Sequence, residues 1–462
     1  MDVTSPYRGG ECQRPRLTAG KVVALRVWTL AVLVVALTGS ASLAAGTASA
    51  RSIRPSWVAA WGLPVNATDN TAFANQTIRD VVRTSVGGYR VRVRLSNVFG
   101  TQPVTLQDAQ IGIAATGASV EPGTSVPSTF DGSSAVTIPA GGSVMSDPAR
   151  LHVQALEHVA VSVYAPTTTG PGTGDGELST YYTALGDHTA DSGSTAFGAA
   201  VPGAFFVSGV DVYAPNDGLI VGFGDSITVG YNASDEGWPY WLADRLVQLA
   251  ADGGPRLSII DMGISGNQVT QDTSAGQSAE DRLQRDVLDQ TGLRGALMME
   301  GINDIGNYGH ATSVPEATIE AGLANVVQRV RSAGAGILLT PLTPSGDAAF
   351  PAPYGPLYSA PASIQERFDV NNWIRRQSRA YSPLFDFEPV IENPQDPNEI
   401  LPAYDSGDDL HPSIPGQKAM AASIPLQTIE RLAGPRYHHH GLTRTHRHAN
   451  RASTKRRRAE RT

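Results

Sequence analysis

Cysteine is almost absent: Cys12 is the only one in 462 residues. No intramolecular disulfide can form, and no cysteine-based zinc or iron–sulfur site can be built. Lysine is nearly missing from the body of the chain. Between residues 51 and 435 only Lys418 occurs, after Gln417, so there is no phosphate-binding P-loop. No Gly-x-Ser-x-Gly segment occurs anywhere, which argues against the nucleophile elbow of α/β-hydrolases. No fixed-period repeat is visible. What is present is 41% hydrophobic residues, 17% charged residues, 48 Gly and 31 Pro. That composition describes a folded, turn-rich chain and excludes collagen-like, coiled-coil and wholly disordered classes. The length suggests two to three structural units.

The net charge of −8 is an average over opposed blocks. Residues 1–50 carry 5 basic against 2 acidic residues, and residues 436–462 carry 9 against 1. Residues 51–435 carry 21 against 40, a charge of −19. An acidic body of this kind is expected to bind no nucleic acid. The basic N-terminal block contains Arg8, Arg14, Arg16, Lys21 and Arg26. The apolar run Val27 to Leu37 follows, then small residues ending Ala48-Ser49-Ala50. This is the n-region, h-region and Ala-x-Ala order of an export signal, so residues 1–50 are expected to leave and Arg51 to begin the mature chain. The longer stretch Val22 to Leu37 is interrupted by Arg26 and is short for a bilayer span. Cys12 leaves with the signal, and localisation outside the cell follows as an expectation.

Residues 51–214 read as a β-sandwich or jelly-roll-like domain. In Tyr89-Arg90-Val91-Arg92-Val93-Arg94-Leu95 the apolar residues are odd and the arginines even, which predicts one face in a core and the other in solvent. Val159, Val161 and Val163 repeat the pattern. Gly87-Gly88, Gly141-Gly142 and the stretch Thr167 to Gly176 read as punctuation between strands. After Pro215 the pattern changes. Gly218 to Gly224 is a short apolar run, as in a buried parallel strand. Similar runs at Leu257–Ile260, Gly295–Met299, Ile337–Thr340 and Leu384–Phe387 alternate with helical stretches. These are Trp238–Ala251, Ala279–Gln290, Pro315–Ala333, Ile364–Ser378 and a last helix from about Ser413 to Leu432. Ser313-x-x-Glu316 reads as a capping box. Strand–helix alternation over residues 215–434 implies a parallel sheet covered on both faces. Residues 435–462, with His438-His439-His440 and Lys455-Arg456-Arg457-Arg458, have no apolar periodicity and read as a disordered basic tail.

The first parallel strand ends in Gly222-Phe223-Gly224-Asp225-Ser226. Ligands bind at the carboxyl ends of strands in open α/β sheets, so Ser226 is a natural nucleophile position. Asp225 is expected to brace the turn. A serine hydroxyl needs a base, and the catalytic region holds only His310 and His411. His411 sits in Ser406-Gly407-Asp408-Asp409-Leu410-His411-Pro412. Asp408, three residues upstream, can hold one imidazole nitrogen on a tight loop while the other faces Ser226. Asp409 is its rival, with a less suitable spacing. Asn303 in Gly301-Ile302-Asn303-Asp304 can supply an amide donor. Gly266 in Gly263-Ile264-Ser265-Gly266 can supply a backbone N–H, as can Ser226.

These four blocks, in order across residues 218–432, resemble those of the SGNH (GDSL) hydrolase superfamily. The first reads Gly-Asp-Ser-Ile, and the second has Asp261 where Asn is usual. The resemblance implies a three-layer, flavodoxin-like α/β/α domain with a parallel sheet, and ester hydrolysis through an acyl-enzyme. By family position Ser226 is the nucleophile, His411 the general base and acid, and Asp408 its orienter. Ser226 N–H, Gly266 N–H and Asn303 form the oxyanion hole. No metal or organic cofactor is implied. The region around Trp57 and Trp61 looks like the β domain that precedes the catalytic domain in some secreted actinobacterial members.

The expected activity is a secreted, monomeric serine esterase acting on carbohydrate acyl esters or other small soluble esters. A lipase or phospholipase acting on lipid esters is the alternative within the same chemistry. A non-catalytic wall- or carbohydrate-binding protein is the alternative of another class. Acyl selectivity is expected in the loops Gly306–Ser313 and Ser345–Ala362, the second long enough to form a wall. The basic tail offers a weak contact with anionic cell-wall polymers or a membrane surface. Deleting residues 436–462 is expected to lower retention on cell-wall preparations; unchanged retention would remove that role from the tail.

Overall fold

The structure is a computed structural model. It describes residues 54–307, 314–348, 355–378 and 386–434, with the backbone alone at 67–70, 171–173, 175–176, 355–356 and 378. The expected signal segment, basic tail and Ser313 cap lie outside the described residues, as do His310 and part of each proposed selectivity loop.

The first half is antiparallel β. One sheet runs in the order Pro55–Gly62, Val207–Pro215, Val91–Asn97, Gly142–Met145. The other runs Val201–Phe205, Pro171–Leu185, Gln76–Arg83, His158–Ala165, Val104–Ile113, Val126–Pro127, with Ala67–Ala72 and Ala135–Ile138 pairing on its flanks. The alternation in Val91-Arg92-Val93-Arg94-Leu95 places the three apolar side chains fully in the core. The polar face does not meet solvent as its pattern predicts. Arg92 instead donates to Asp211 at 2.7 Å and reaches Thr291, and Arg94 donates to Gln290. Arginine serves there because its long apolar stem packs while its head pairs. The stretch read as punctuation at Thr167 to Gly176 is partly strand: Pro171 begins the long strand that ends at Leu185. Pairing with Ala67–Ala72 and Val201–Phe205 overrides the weak strand propensity of its glycines.

Asn216 and Asp217 alone separate the last sandwich strand from the first parallel strand. The parallel sheet has the order Leu257–Gly263, Gly218–Gly224, Leu293–Met299, Gly336–Leu339. Its strands are buried on both faces, which is why they read as continuous apolar runs rather than alternations. Helices Trp238–Ala251, Glu316–Ser332, Pro361–Ser378, Ile414–Ser423 and Leu426–Ala433 complete an α/β/α arrangement. The fifth run, Leu384–Phe387, lies partly outside the described residues, and Asp386 and Phe387 are not in a strand. The last helix is two, because Pro425 has no N–H to donate and forces Ile424 to an extended conformation (ψ 119°). The stretch from Ala279 is α-helical to Leu283 and then widens into a π turn over Gln284–Leu288. No described helix is long and apolar enough to cross a membrane.

The described residues fall within one compact unit, so sandwich and parallel sheet share contacts. Strand Pro55–Gly62 is the joint. Its Ala59 N–H donates to the Thr291 carbonyl at 3.0 Å, and its Ala59 carbonyl accepts from the Ser258 hydroxyl. Ser85 and Ser258 hydroxyls meet at 2.8 Å in the same buried seam. Further out, Arg83 pairs with Asp244 at 2.5 Å and stacks on Tyr240. Trp61 and Trp238 are buried packing residues, and the Trp57 ring lies under Arg92.

Candidate active site

The parallel register sets the site. Gly224 pairs with Gly263 on one side and Met299 on the other, so three strands end side by side. The chain beyond each end carries Ser226, Gly266 and Asn303. Ser226 opens the short helix Ser226–Val229. Asp225 caps it by accepting the Ile227 N–H at 2.9 Å, the bracing role its position suggests. The helix stops at Gly230, whose φ of +87° closes a turn so tight that a Cβ would lie 2.4 Å from the Gly237 nitrogen. The Ser226 N–H belongs to a first helical turn, where backbone donors have no intrahelical partner.

His411 arrives on a hydrogen-bonded loop. Asp405 and Pro412 bridge its base, and the Ser406 N–H donates to the His411 carbonyl at 3.0 Å. Asp409 turns the loop with φ +58°. This geometry gives Asp408, not Asp409, the imidazole. Asp408 Oδ1 accepts the His411 and Leu410 N–H groups at 2.8 and 3.1 Å, and Oδ2 lies 2.8 Å from His411 Nδ1. His411 Nε2 is 2.8 Å from Ser226 Oγ. Burial alone would raise the Asp408 carboxyl. The hydrogen bond and charge of His411, with the two backbone donors, outweigh it and hold the group below its ordinary value. Asp408 is therefore an anion, Nδ1 carries a proton towards it, and Nε2 is the acceptor for the serine hydroxyl. Asn232 donates to Asp408 Oδ2 at 2.9 Å, and the Tyr231 ring packs 4.8 Å from the imidazole.

The expected oxyanion donors are tied to one another. The Asn267 N–H donates to the Ile264 carbonyl, closing a turn in which Gly266 has φ +76°, the value a type II turn needs at its third residue. Asn303 Nδ2 donates to the Asn267 carbonyl at 2.9 Å, and Gln268 donates back to the Asn303 carbonyl at 3.0 Å. Asp304 accepts the Val269 N–H at 2.9 Å. The Tyr358 hydroxyl donates to Asn303 Oδ1 at 2.7 Å, which fixes the amide so that its NH2 end is the donor of the site. One amide hydrogen remains for a ligand. Ser226, Gly266, Asn303, Asp408 and His411 are thus brought together.

Behind them lies Arg282, fully buried. Its guanidinium donates to the Met262 carbonyl at 2.7 Å, the Gly224 carbonyl at 2.8 Å and Asn267 Oδ1 at 2.9 Å. It faces Asp286 at 3.4 Å and Glu300 at 3.7 Å and stacks on Phe223. Burial pushes the Asp225 carboxyl up to about 6 and that of Asp304 up to about 7. Burial, reinforced by Asp225, raises Glu300 well above the carboxylate range. Arg282, Tyr358, Tyr231 and Asn232 are absent from the sequence reading. Arg282 sits in a helix whose pattern carries no sign of a site, and Tyr358 lies in the Pro-rich loop read only as a wall. Among the described residues no three His, Cys, Asp or Glu side chains gather as a metal ligand set.

The family model of GDSL-like lipases/acylhydrolases matches residues 223–419. No match is found among curated proteins. Solved structures that resemble the chain include a GDSL-like lipase from Bacteroides thetaiotaomicron, 21% identical, covering 47% of this chain and 90% of that one, with a TM-score of 0.35. The aryl esterase of M. smegmatis is 20% identical over 46% of this chain and 99% of its own (TM-score 0.36). Esterase EstA from Pseudoalteromonas sp. is 22% identical over 46% and 97% (TM-score 0.33).

Two outcomes follow from the site's geometry. Tyr358→Phe frees the Asn303 amide to rotate and is expected to lower kcat about tenfold with KM little changed. Steady-state kinetics on a small ester check this, and an unchanged kcat would mean the amide is held without Tyr358. Asp304, raised by burial, keeps its proton in the folded state where the unfolded chain has lost it, so its contribution to stability fades as pH rises towards its folded value. His158, whose imidazole burial holds below its ordinary value, acts with the opposite sign in the same window. The comparison with Asp304→Asn removes that background. From about pH 5 to about pH 8 the wild-type Tm is expected to fall by a few degrees relative to the variant. A constant difference would show that Asp304 is already ionised.

Proposed function

We propose that this chain is a secreted serine esterase working through an acyl-enzyme on Ser226, in keeping with the match of residues 223–419 to the family model of GDSL-like lipases/acylhydrolases. The observation that carries the reading is the unbroken hydrogen-bonded chain from Ser226 Oγ through His411 to Asp408, beside Gly266 and Asn303. Ser226 Oγ attacks the ester carbonyl carbon while His411 Nε2 takes its proton. The negative charge that develops on the carbonyl oxygen is met by the Ser226 and Gly266 N–H groups and Asn303 Nδ2. Collapse breaks the bond to the alcohol oxygen, which receives the proton from His411. Water, deprotonated by His411, then attacks the acyl carbon, and the carboxylic acid leaves with Ser226 restored.

Substrates of the class carbohydrate acyl ester or small soluble ester fit the surroundings better than anionic lipids. The mature body carries a charge of −19 over residues 51–435, and Glu177 and Asp235 lie within electrostatic reach of the site. Such a field repels phospholipid headgroups and tolerates neutral, hydroxylated molecules. Export is supported by the order of the first 50 residues, and a monomer is the proposed state.

The test is a panel of esters with graded acyl length, together with acetylated xylan and an anionic phospholipid. Wild type is expected to favour the short, soluble esters. Ser226→Ala is expected to lose about 10⁴-fold or more in kcat/KM and to escape labelling by a serine-reactive phosphonate. Equal hydrolysis by both proteins would reject the nucleophile, and a preference for the phospholipid would move the enzyme to the lipase reading.

A further inference from the structure

The β-sandwich reaches into the active site at one point. Strand Pro171–Leu185 loses register with its neighbour Val201–Phe205 between Asp175 and Thr180, where five steps on one strand run against two on the other. Within this bulge Leu178 has φ +64°, a conformation that a γ-branched side chain rarely adopts. Bulges re-aim side chains, and strained backbone persists only where its surroundings hold it. Here both ends of the strain are held by the catalytic half. The Leu178 N–H donates to the Asp235 carboxylate. Glu177, largely buried, accepts the Ser265 hydroxyl on Oε1 at 2.6 Å and also the Ser265 N–H.

Ser265 stands immediately before Gly266 in the Ile264–Asn267 turn. Two hydrogen bonds to one residue fix both its side chain and its peptide plane, and the next peptide carries the N–H of Gly266. The other end of the turn is held independently by Arg282 on Asn267. Asp235 belongs to the loop that begins with Tyr231 against His411 and Asn232 on Asp408, and it too has positive φ, +56°. The bulge therefore touches both the donor turn and the loop behind the imidazole.

We propose that Glu177 is a positioning residue for ester hydrolysis, lent by the β-sandwich, which clamps the Ile264–Asn267 turn so that the Gly266 N–H stays aimed at the oxyanion. The inference rests on the esterase reading above. Glu177 touches no reacting atom; it acts through Ser265. Its loss lets the turn relax, and a donor displaced by a fraction of an ångström costs the transition state more than the bound ester.

The test measures kcat and KM on one short soluble ester for wild type, Glu177→Ala, Glu177→Gln, Ser265→Ala and the double variant of both alanines. Glu177→Ala is expected to lower kcat about 10- to 100-fold with KM within about twofold. Glu177→Gln, which keeps an acceptor oxygen for the Ser265 hydroxyl, recovers most of that loss. Ser265→Ala lowers kcat in the same sense, and the double variant is no slower than the slower single one, because both changes break one contact. Stoichiometric phosphonate labelling of Ser226 and an unshifted Tm separate misplacement from unfolding. Should Glu177→Ala fail to fold, Ser265→Ala and Glu177→Gln carry the comparison. A kcat within twofold of wild type in Ser265→Ala and Glu177→Ala, or additive losses in the double variant, overturns the proposal. A wild type without esterase activity would instead overturn the functional reading on which it stands.

Discussion

One buried guanidinium holds the site's parts in register. A carbonyl oxygen has two lone pairs, and that of Gly224 takes the Ile264 N–H at 3.0 Å on one and a side-chain donor on the other, as buried strand-end carbonyls in a closed core can. Arg282 satisfies two of them, at Gly224 and Met262, and with its third nitrogen holds the side chain of Asn267. Ser226 follows the first of these strand ends and the Ile264–Asn267 turn follows the second. A planar fork with fixed angles is suited to this, whereas an ammonium would offer no such geometry. The charge is buried beside Asp286 and Glu300, and Asp286 is held from its other side by Arg285 at 2.7 Å.

The rest of the site is built outward from that anchor by short contacts between loops. Asn303 and Asn267, Asn303 and Gln268, and Asp304 and Val269 join the second and third strand ends into one unit. The histidine loop is a separate unit with its own internal bonds, and it meets the end of the first strand through Ser226, Tyr231 and Asn232. Preorganisation is thus divided. Asn303 and the Ile264–Asn267 turn are held to the sheet, while His411 is held to Asp408.

Much of this was legible in sequence, for identifiable reasons. Parallel strands are buried on both faces, so Gly218–Gly224 stands out as an unbroken apolar run, and the residues just beyond such runs are where ligands bind. Asp408 and His411 are close in sequence, so their spacing speaks directly to geometry. Arg282 was not legible, because its three acceptors are two backbone carbonyls and a side-chain oxygen that acquire a common meeting point only in the folded sheet. Tyr358 was hidden for a similar reason, since a loop tyrosine carries no pattern until Asn303 comes to face it. The arginines of Val91–Asn97 were misread towards solvent because alternation reports which face is polar and not what that face meets. The continuous final helix was an error of local chemistry that Pro425 itself could have corrected.

Strand Pro55–Gly62 also dictates the order in which the molecule can be assembled. Its ladder partner, Val207–Pro215, lies about 150 residues away in register; Ser85 on the Ala60 carbonyl is near in sequence, while Ser258 and Thr291 come later still. A chain made from its N-terminus must therefore carry this strand without its ladder partner until the whole first half exists. Contacts of such long sequence separation slow folding, because the closure entropy of the loop is spent before the contacts form. The seam with the parallel sheet, and with it the contact of Glu177 on Ser265, can form only once Ser258, Ser265 and Thr291 have been made.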